Sequence, residues 1–152
     1  MEIKETAFLR VLSAQRRITL PQTPVMSAEV APQIEAEAGR LGMQVTGPWT
    51  FIATSLPKDK RTEFDLRMCL PVAYADRYSG PFELLDMEPI MVASTIYRGP
   101  VRGLFTRGYA PLISKIENSR HAFSGESREI YHQWNGSQAQ YHMIEIQFGL
   151  AY

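Results

Sequence analysis

The sequence predicts an α+β fold built from two tandem strand–helix–strand–strand modules. Three observations predict it. From about residue 12 onward the chain aligns with itself, without gaps, at an offset of 78 residues, so that Leu66 falls on Ile144. Each half holds one stretch with apolar residues every three or four positions, the spacing of an amphipathic helix. Each half also ends in a stretch of strict apolar–polar alternation, the spacing of a strand with one buried face.

Taken in order, Met26, Val30, Ile34, Ala38 and Leu41 mark the first helix, and Leu104, Phe105, Tyr109, Leu112, Ile113 and Ile116 mark its copy. Pro32 and Pro111 fall inside these stretches. Proline lacks a backbone donor and crowds the preceding turn, so a kink or a late start is expected at each. Gly47-Pro48 and Gly125 mark turns from helix to strand. Ile52 and Ile130 coincide in the middle strands, and Ile18 and Ile96 in the first ones. Residues 64–72 and 142–150 are the alternating last strands, with Pro71 tolerable at an edge or bulge. Pro57-Lys58-Asp59-Lys60 and Asn135-Gly136-Ser137 read as polar turns, and residues 73–81, with Gly80-Pro81, as the linker. The chain is read as a single domain, with repeat 1 over about 1–74 and repeat 2 over about 80–152.

A chain of 152 residues buries enough surface to fold without a disulfide or a metal. Its formal net charge is zero, which argues against direct contact with nucleic acid or an anionic membrane, since both call for basic excess. No apolar run approaches the ~20 residues of a membrane span. The start, Met-Glu-Ile-Lys-Glu, is unlike a signal peptide, and Cys69 is the single cysteine, so the cytoplasm is the expected compartment. His121, His132 and His142 lack metal-ligand spacing on one element, and no phosphate loop or nucleophile elbow is present. Ser127 has no evident His–Asp relay. Neither a metal nor a cofactor is expected.

The alternation also assigns faces. Leu66, Met68, Leu70 and Val72, with Ile144, Ile146, Phe148 and Leu150, should lie under the helices. The opposite parity then carries Arg67, Cys69, Glu145 and Gln147. If Ile52, Ile130 and Ile96 also face the helices, then Trp49, Phe51, Glu129, Tyr131 and Tyr97 point away from them, to the same side as Glu145. A carboxylate among aromatic faces suits a flat lipophilic cation, through charge pairing and cation–π attraction. Glu145 also has a purely structural reading, as the partner of Arg67, its counterpart under the repeat offset. Tyr109 lies on the apolar stripe of the second helix and reads as core.

Ile96-Tyr97-Arg98-Gly99-Pro100, Gly108-Tyr109-Ala110, Arg128-Glu129-Ile130-Tyr131 and Glu145-Ile146-Gln147-Phe148, with Gly47-Pro48 and Cys69-Leu70-Pro71-Val72, carry a family likeness. In order and spacing the chain resembles the GyrI-like (gyrase-inhibitor-like) effector-binding domain, found alone and fused to AraC- and MerR-type transcription regulators. The resemblance implies an antiparallel sheet with helices on one face and two modules related by a pseudo-twofold axis around a ligand cleft. It also implies a glutamate, at the position of Glu145, at the base of an aromatic pocket. Gly149, where the family often has proline, is expected to loosen the end of the last strand. The first functional reading is therefore capture of lipophilic, cationic aromatic compounds by Glu145, Tyr97, Tyr131, Trp49, Phe51 and Arg67, in the manner of a multidrug sensor. The alternatives are a hydrolase of strained, cyclopropane-type electrophiles using Glu145 with Tyr97 or Tyr131, and a protein-interaction inhibitor of DNA gyrase. A protein partner is compatible with each.

Overall fold

The computed structural model describes residues 1–151. Among them are nine strands: β1 (Glu2–Glu5), β2 (Leu9–Ile18), β3 (Gln44–Val45), β4 (Thr50–Thr54), β5 (Phe64–Ala73), β6 (Glu83–Met87), β7 (Met91–Gly99), β8 (Phe123–Gln133) and β9 (His142–Leu150). The two α-helices are α1 (Thr23–Arg40) and α2 (Ala110–Glu117). The fold class is α+β, as the repeat predicts. No helix among the described residues is long and apolar enough to cross a membrane.

The chain divides into two units, one of residues 8–88 and one of residues 1–7 together with those from Pro89 onward. In the first, β4, β5, β2 and β6 lie side by side in that order, all antiparallel, and β3 pairs with the end of β5. Phe64, Leu66, Met68, Leu70 and Val72 of β5 are buried and form a core with Leu12, Ala14 and Ile18 of β2 and Val30, Ile34 and Ala38 of α1. Each large apolar side chain so buried contributes roughly 1.5–3 kcal/mol. Pro24 sits in the first turn of α1, where its fixed φ suits the helix and no donor is lost. The helix runs on through Pro32, which is exposed. It ends where Gly42 takes a left-handed φ of +70° and the Met43 N–H reaches back to the Ala38 carbonyl at 2.9 Å. Pro71 stands in β5 where its neighbour changes from β4, which stops at Thr50 opposite Cys69, to β3, which resumes at Val45 opposite Val72. A residue without an N–H is tolerated in that gap.

In the second unit the order is β1, β7, β9, β8. A tight turn at Val101–Gly103 and a π-helical turn at Leu104–Tyr109 precede α2, so the late start expected at Pro111 occurs. The π turn packs closely on the sheet. A Cβ on Gly108 would stand 2.7 Å from Cδ1 of Ile146 and 3.3 Å from Cβ of Tyr97. Gly149 does not loosen its strand. It pairs with Val92, and its missing side chain makes room for a bulge in β8, where Ser124 Oγ would lie 2.4 Å from a Cβ.

The unit boundaries differ from the repeats drawn on the sequence. β1 opens the first repeat yet pairs with β7, and β6 opens the second yet pairs with β2. Both strands are short and mixed in character, and the self-alignment begins only after β1.

Candidate functional site

The register fixes which side chains share a face. Across β7, β9 and β8, Ile96, Glu145 and Ile130 form one row, and Tyr97, Ile144 and Tyr131 form the next, on the opposite face. Thr95, Ile146 and Glu129 share the face of Tyr97. That is the helix side, because Ile146 lies under Gly108 and Phe148 meets the Tyr109 ring edge-on at 5.9 Å. Across β2, β5 and β4, Phe51 stands beside Met68, whereas Ile52 stands beside Arg67.

These rows correct the expected grouping. Tyr97 and Tyr131 lie on the helix side and Glu145 on the other, so the tyrosines do not surround that carboxylate. Trp49 and Phe51, in contact edge-on at 6.2 Å, pack on the core beneath α1 and are likewise on the helix side of their own unit. The isoleucines mislead because Ile52, Ile96 and Ile130 face away from the helices. β-branched side chains suit either face of a sheet, and an error of one position turns every residue over.

Glu145 is a buried hub on the outer face. Its carboxylate accepts from Lys4 Nζ at 2.7 Å and from Ser94 Oγ, His132 Nε2 and Gln147 Nε2 at 2.8 Å each. Burial alone would raise its pKa, but the bonds from Lys4, Gln147, His132 and Ser94 outweigh burial and bring it to about 2. It does not pair with Arg67. The Arg67 guanidinium donates to Ser13 Oγ at 3.0 Å, Glu83 Oε1 at 3.0 Å and Gln15 Oε1 at 2.9 Å. The two hubs are copies of opposite sign, each built from a central-strand charge, a serine, a glutamine and a counter-charge on an edge strand. A carboxylate ionised down to pH 2 and engaged by four donors is poorly suited to act as a general base near neutrality. That geometry weighs against hydrolysis by Glu145.

The carboxylate that does stand among aromatics is Glu129. On β8 it shares a face with Tyr131, two residues on, and both tyrosine hydroxyls within reach donate to it, Tyr109 to Oε2 and Tyr131 to Oε1. The π turn carries Tyr109 to this position and stacks Phe105 against it at 6.5 Å. Trp134 stands edge-on to Tyr131 at 5.6 Å. Phe105 and Trp134 are exposed, so the cluster has an open side. Burial, the Glu129 charge and the bonds to it push both tyrosine pKa values well above 10, so both hydroxyls stay protonated as donors. Nearby, Tyr97 donates to the Pro100 carbonyl at 2.6 Å, and the Arg107 guanidinium lies 5.8 Å from the centre of its ring. Sequence reasoning placed Glu129 beside Tyr131 but on the wrong face, and took Tyr109 for core alone. The usable signal was the Glu-x-Tyr spacing, which in a strand puts both side chains on one side.

His132 and His142 do not meet. His132 reaches Glu145 on the outer face, and His142 is buried beneath Trp134. Among the described residues no three His, Cys, Asp or Glu side chains gather as a metal-ligand set.

No family model matches this chain, and no curated protein matches it. Solved structures do. The crystal structure of the EcmrR C-terminal domain superposes with a TM-score of 0.78 at 21% identity, covering 98% of this chain and 95% of that one. EcmrR in the cryo-EM structure of its DNA complex gives the same score and identity, and there this chain spans 56% of the longer protein. SAV2435, solved bound to tetraphenylphosphonium, matches with a TM-score of 0.64 at 9% identity, covering 98% of this chain and 92% of that one. At these identities the likeness establishes the fold, which is the GyrI-like one that the sequence resembles.

Proposed function

We propose that this protein is an effector-binding module for small lipophilic cations, and that Glu129 is the anion that receives them. One observation carries the reading. A carboxylate on the helix side of the sheet is held by two tyrosine hydroxyls, with Phe105 and Trp134 exposed beside it. The arrangement concentrates negative potential from the carboxylate and from ring faces in a desolvated spot, which favours a cation with a large apolar surface. The shared fold supports it, since SAV2435 was solved with tetraphenylphosphonium bound. Both carboxylate oxygens already accept hydrogen bonds, so the favoured guest is a cation that needs charge and stacking rather than a hydrogen-bond acceptor. The chain's zero net charge supports ligand capture without DNA contact of its own.

Calorimetric titration with tetraphenylphosphonium tests this. The wild type binds saturably, Glu129→Gln weakens binding about tenfold or more, and Glu145→Gln leaves it unchanged. Equal binding by the wild type and Glu129→Gln, or selective loss in Glu145→Gln, overturns the assignment.

A further inference from the structure

Tyr97 is only 4% exposed, which leaves it little room to serve as the ligand wall expected of it. Instead, the chain from Gly99 to Gly108 is wound around its side chain. A Cβ on Gly99 would stand 2.7 Å from the Tyr97 hydroxyl oxygen, one on Gly103 2.6 Å from the same oxygen, and one on Gly108 3.3 Å from Tyr97 Cβ. Three glycines thus make room for one tyrosine. The hydroxyl joins the two ends of the winding. It donates to the Pro100 carbonyl at 2.6 Å and accepts from Arg107 Nη2 at 3.3 Å. The Arg107 guanidinium fills the space left by Gly103, where a Cβ would stand 2.2 Å from Nη2, and lies 5.8 Å from the centre of the Tyr97 ring.

The π turn then spans three strands with three consecutive residues. Arg107 holds Tyr97 on β7, Gly108 lies on Ile146 of β9, and Tyr109 bonds to Glu129 on β8. β7, β9 and β8 are neighbours in that order. A single residue separates the contact on β7 from the contact on β8, and planar peptide units leave little slack across it. A shift of the turn at Tyr97 therefore carries Tyr109 away from Glu129. Phe105, stacked on the Tyr109 ring at 6.5 Å, moves with it.

Resting on the Glu129 reading, we propose that Tyr97, clasped by Arg107, is the positioning residue of that site. It touches no ligand. It sets where the π turn sits, and so where the Tyr109 hydroxyl and the exposed Phe105 ring meet the cation. Arg107 serves the site through this clasp and against its own charge, because like charges repel and a fixed guanidinium disfavours a cationic guest.

Calorimetric titration with tetraphenylphosphonium, on two variants, tests the clasp. Tyr97→Phe removes the hydroxyl and keeps the ring that the glycines enclose. Arg107→Ala removes the latch at an exposed position, so it keeps the test open if Tyr97→Phe folds poorly. Each is expected to weaken binding about fivefold, the worth of one hydrogen bond, and the double variant no further than Tyr97→Phe alone. Charge alone predicts the reverse for Arg107→Ala, a tighter grip on the cation. In 13C NMR of tyrosine labelled at Cζ, Tyr109 is expected to titrate at lower pH in both variants as it loses burial and the Glu129 contact, with Tyr131 still held up. Unchanged or tighter binding in the variants, or a Tyr109 titration unmoved in both, overturns the clasp. Failure of the wild type to bind tetraphenylphosphonium overturns the Glu129 reading instead, and the Tyr109 titration then decides the clasp on its own.

Discussion

Replacing Glu145 with Gln distinguishes a structural hub from a ligand anion by its sign. A site carboxylate waiting for a cation is commonly a burden on stability, and its removal is neutral or stabilising. A satisfied hub behaves in the opposite way. The pKa of Glu145 falls from an ordinary 4.5 to about 2 on folding, which corresponds to about 3 kcal/mol. Lys4 and His132 are 35% and 36% exposed, and solvent screening brings the expected contribution down to about 2 kcal/mol. Because the folded-state value is the lower one, the contribution is fully present above about pH 4.5 and fades as pH falls towards about 2. Urea denaturation of the wild type and Glu145→Gln at a series of pH values measures it. At pH 7 the variant should be less stable by about 2 kcal/mol, with the gap closing as pH falls through that window. A variant as stable as the wild type at pH 7, or a gap that stays constant down to pH 2.5, refutes the reasoning.

Two further outcomes are expected. Gly108→Ala forces a methyl against Ile146 and Tyr97, and should cost about 1–3 kcal/mol in thermal or chemical denaturation. Through the displaced π turn, it should also weaken tetraphenylphosphonium binding. In a spectrophotometric alkaline titration, Tyr109 and Tyr131 should remain protonated as pH passes 10, held up by burial and by the Glu129 charge. Their folded-state values are the raised ones, so their contribution is intact below pH 10 and is lost only as pH climbs through those values. Glu129→Gln should bring both tyrosines down, and no change in that variant would contradict the contacts described.

The parts of the fold that read well in the sequence are those where physics leaves one periodic solution. In residues 64–72 and 142–150 the bulky apolar side chains fall on one parity with Met143 as the main exception, and the structure buries that parity under the helices. β4 and β8 offer no such contrast. Thr50-Phe51-Ile52-Ala53 and Ile130-Tyr131 are apolar on both parities, so a strand flanked by an aromatic and an isoleucine can be turned either way at little cost in burial. That ambiguity turned Phe51 and Tyr131, with Trp49 just before β4, to the wrong face, and Ile96-Tyr97 in β7 misled in the same way. The hub around Glu145 was illegible for a different reason. Its counter-charge, Lys4, comes from a strand far away in sequence, and nothing local to Glu145 announces it.

The edge strands carry a consequence for any attempt to work with half of this protein. A cut within the linker, near residue 78, looks natural on the repeat, yet it separates β2 from β6 and β7 from β1. Each half then keeps a strand whose proper partner is on the other piece and bares a long edge, β2 with ten residues or β7 with nine. Such edges recruit whatever strand is at hand. Single-module fragments of this chain should therefore exchange edge strands in pairs or precipitate, and a truncation that respects the packing has to break the chain at residues 7 and 88.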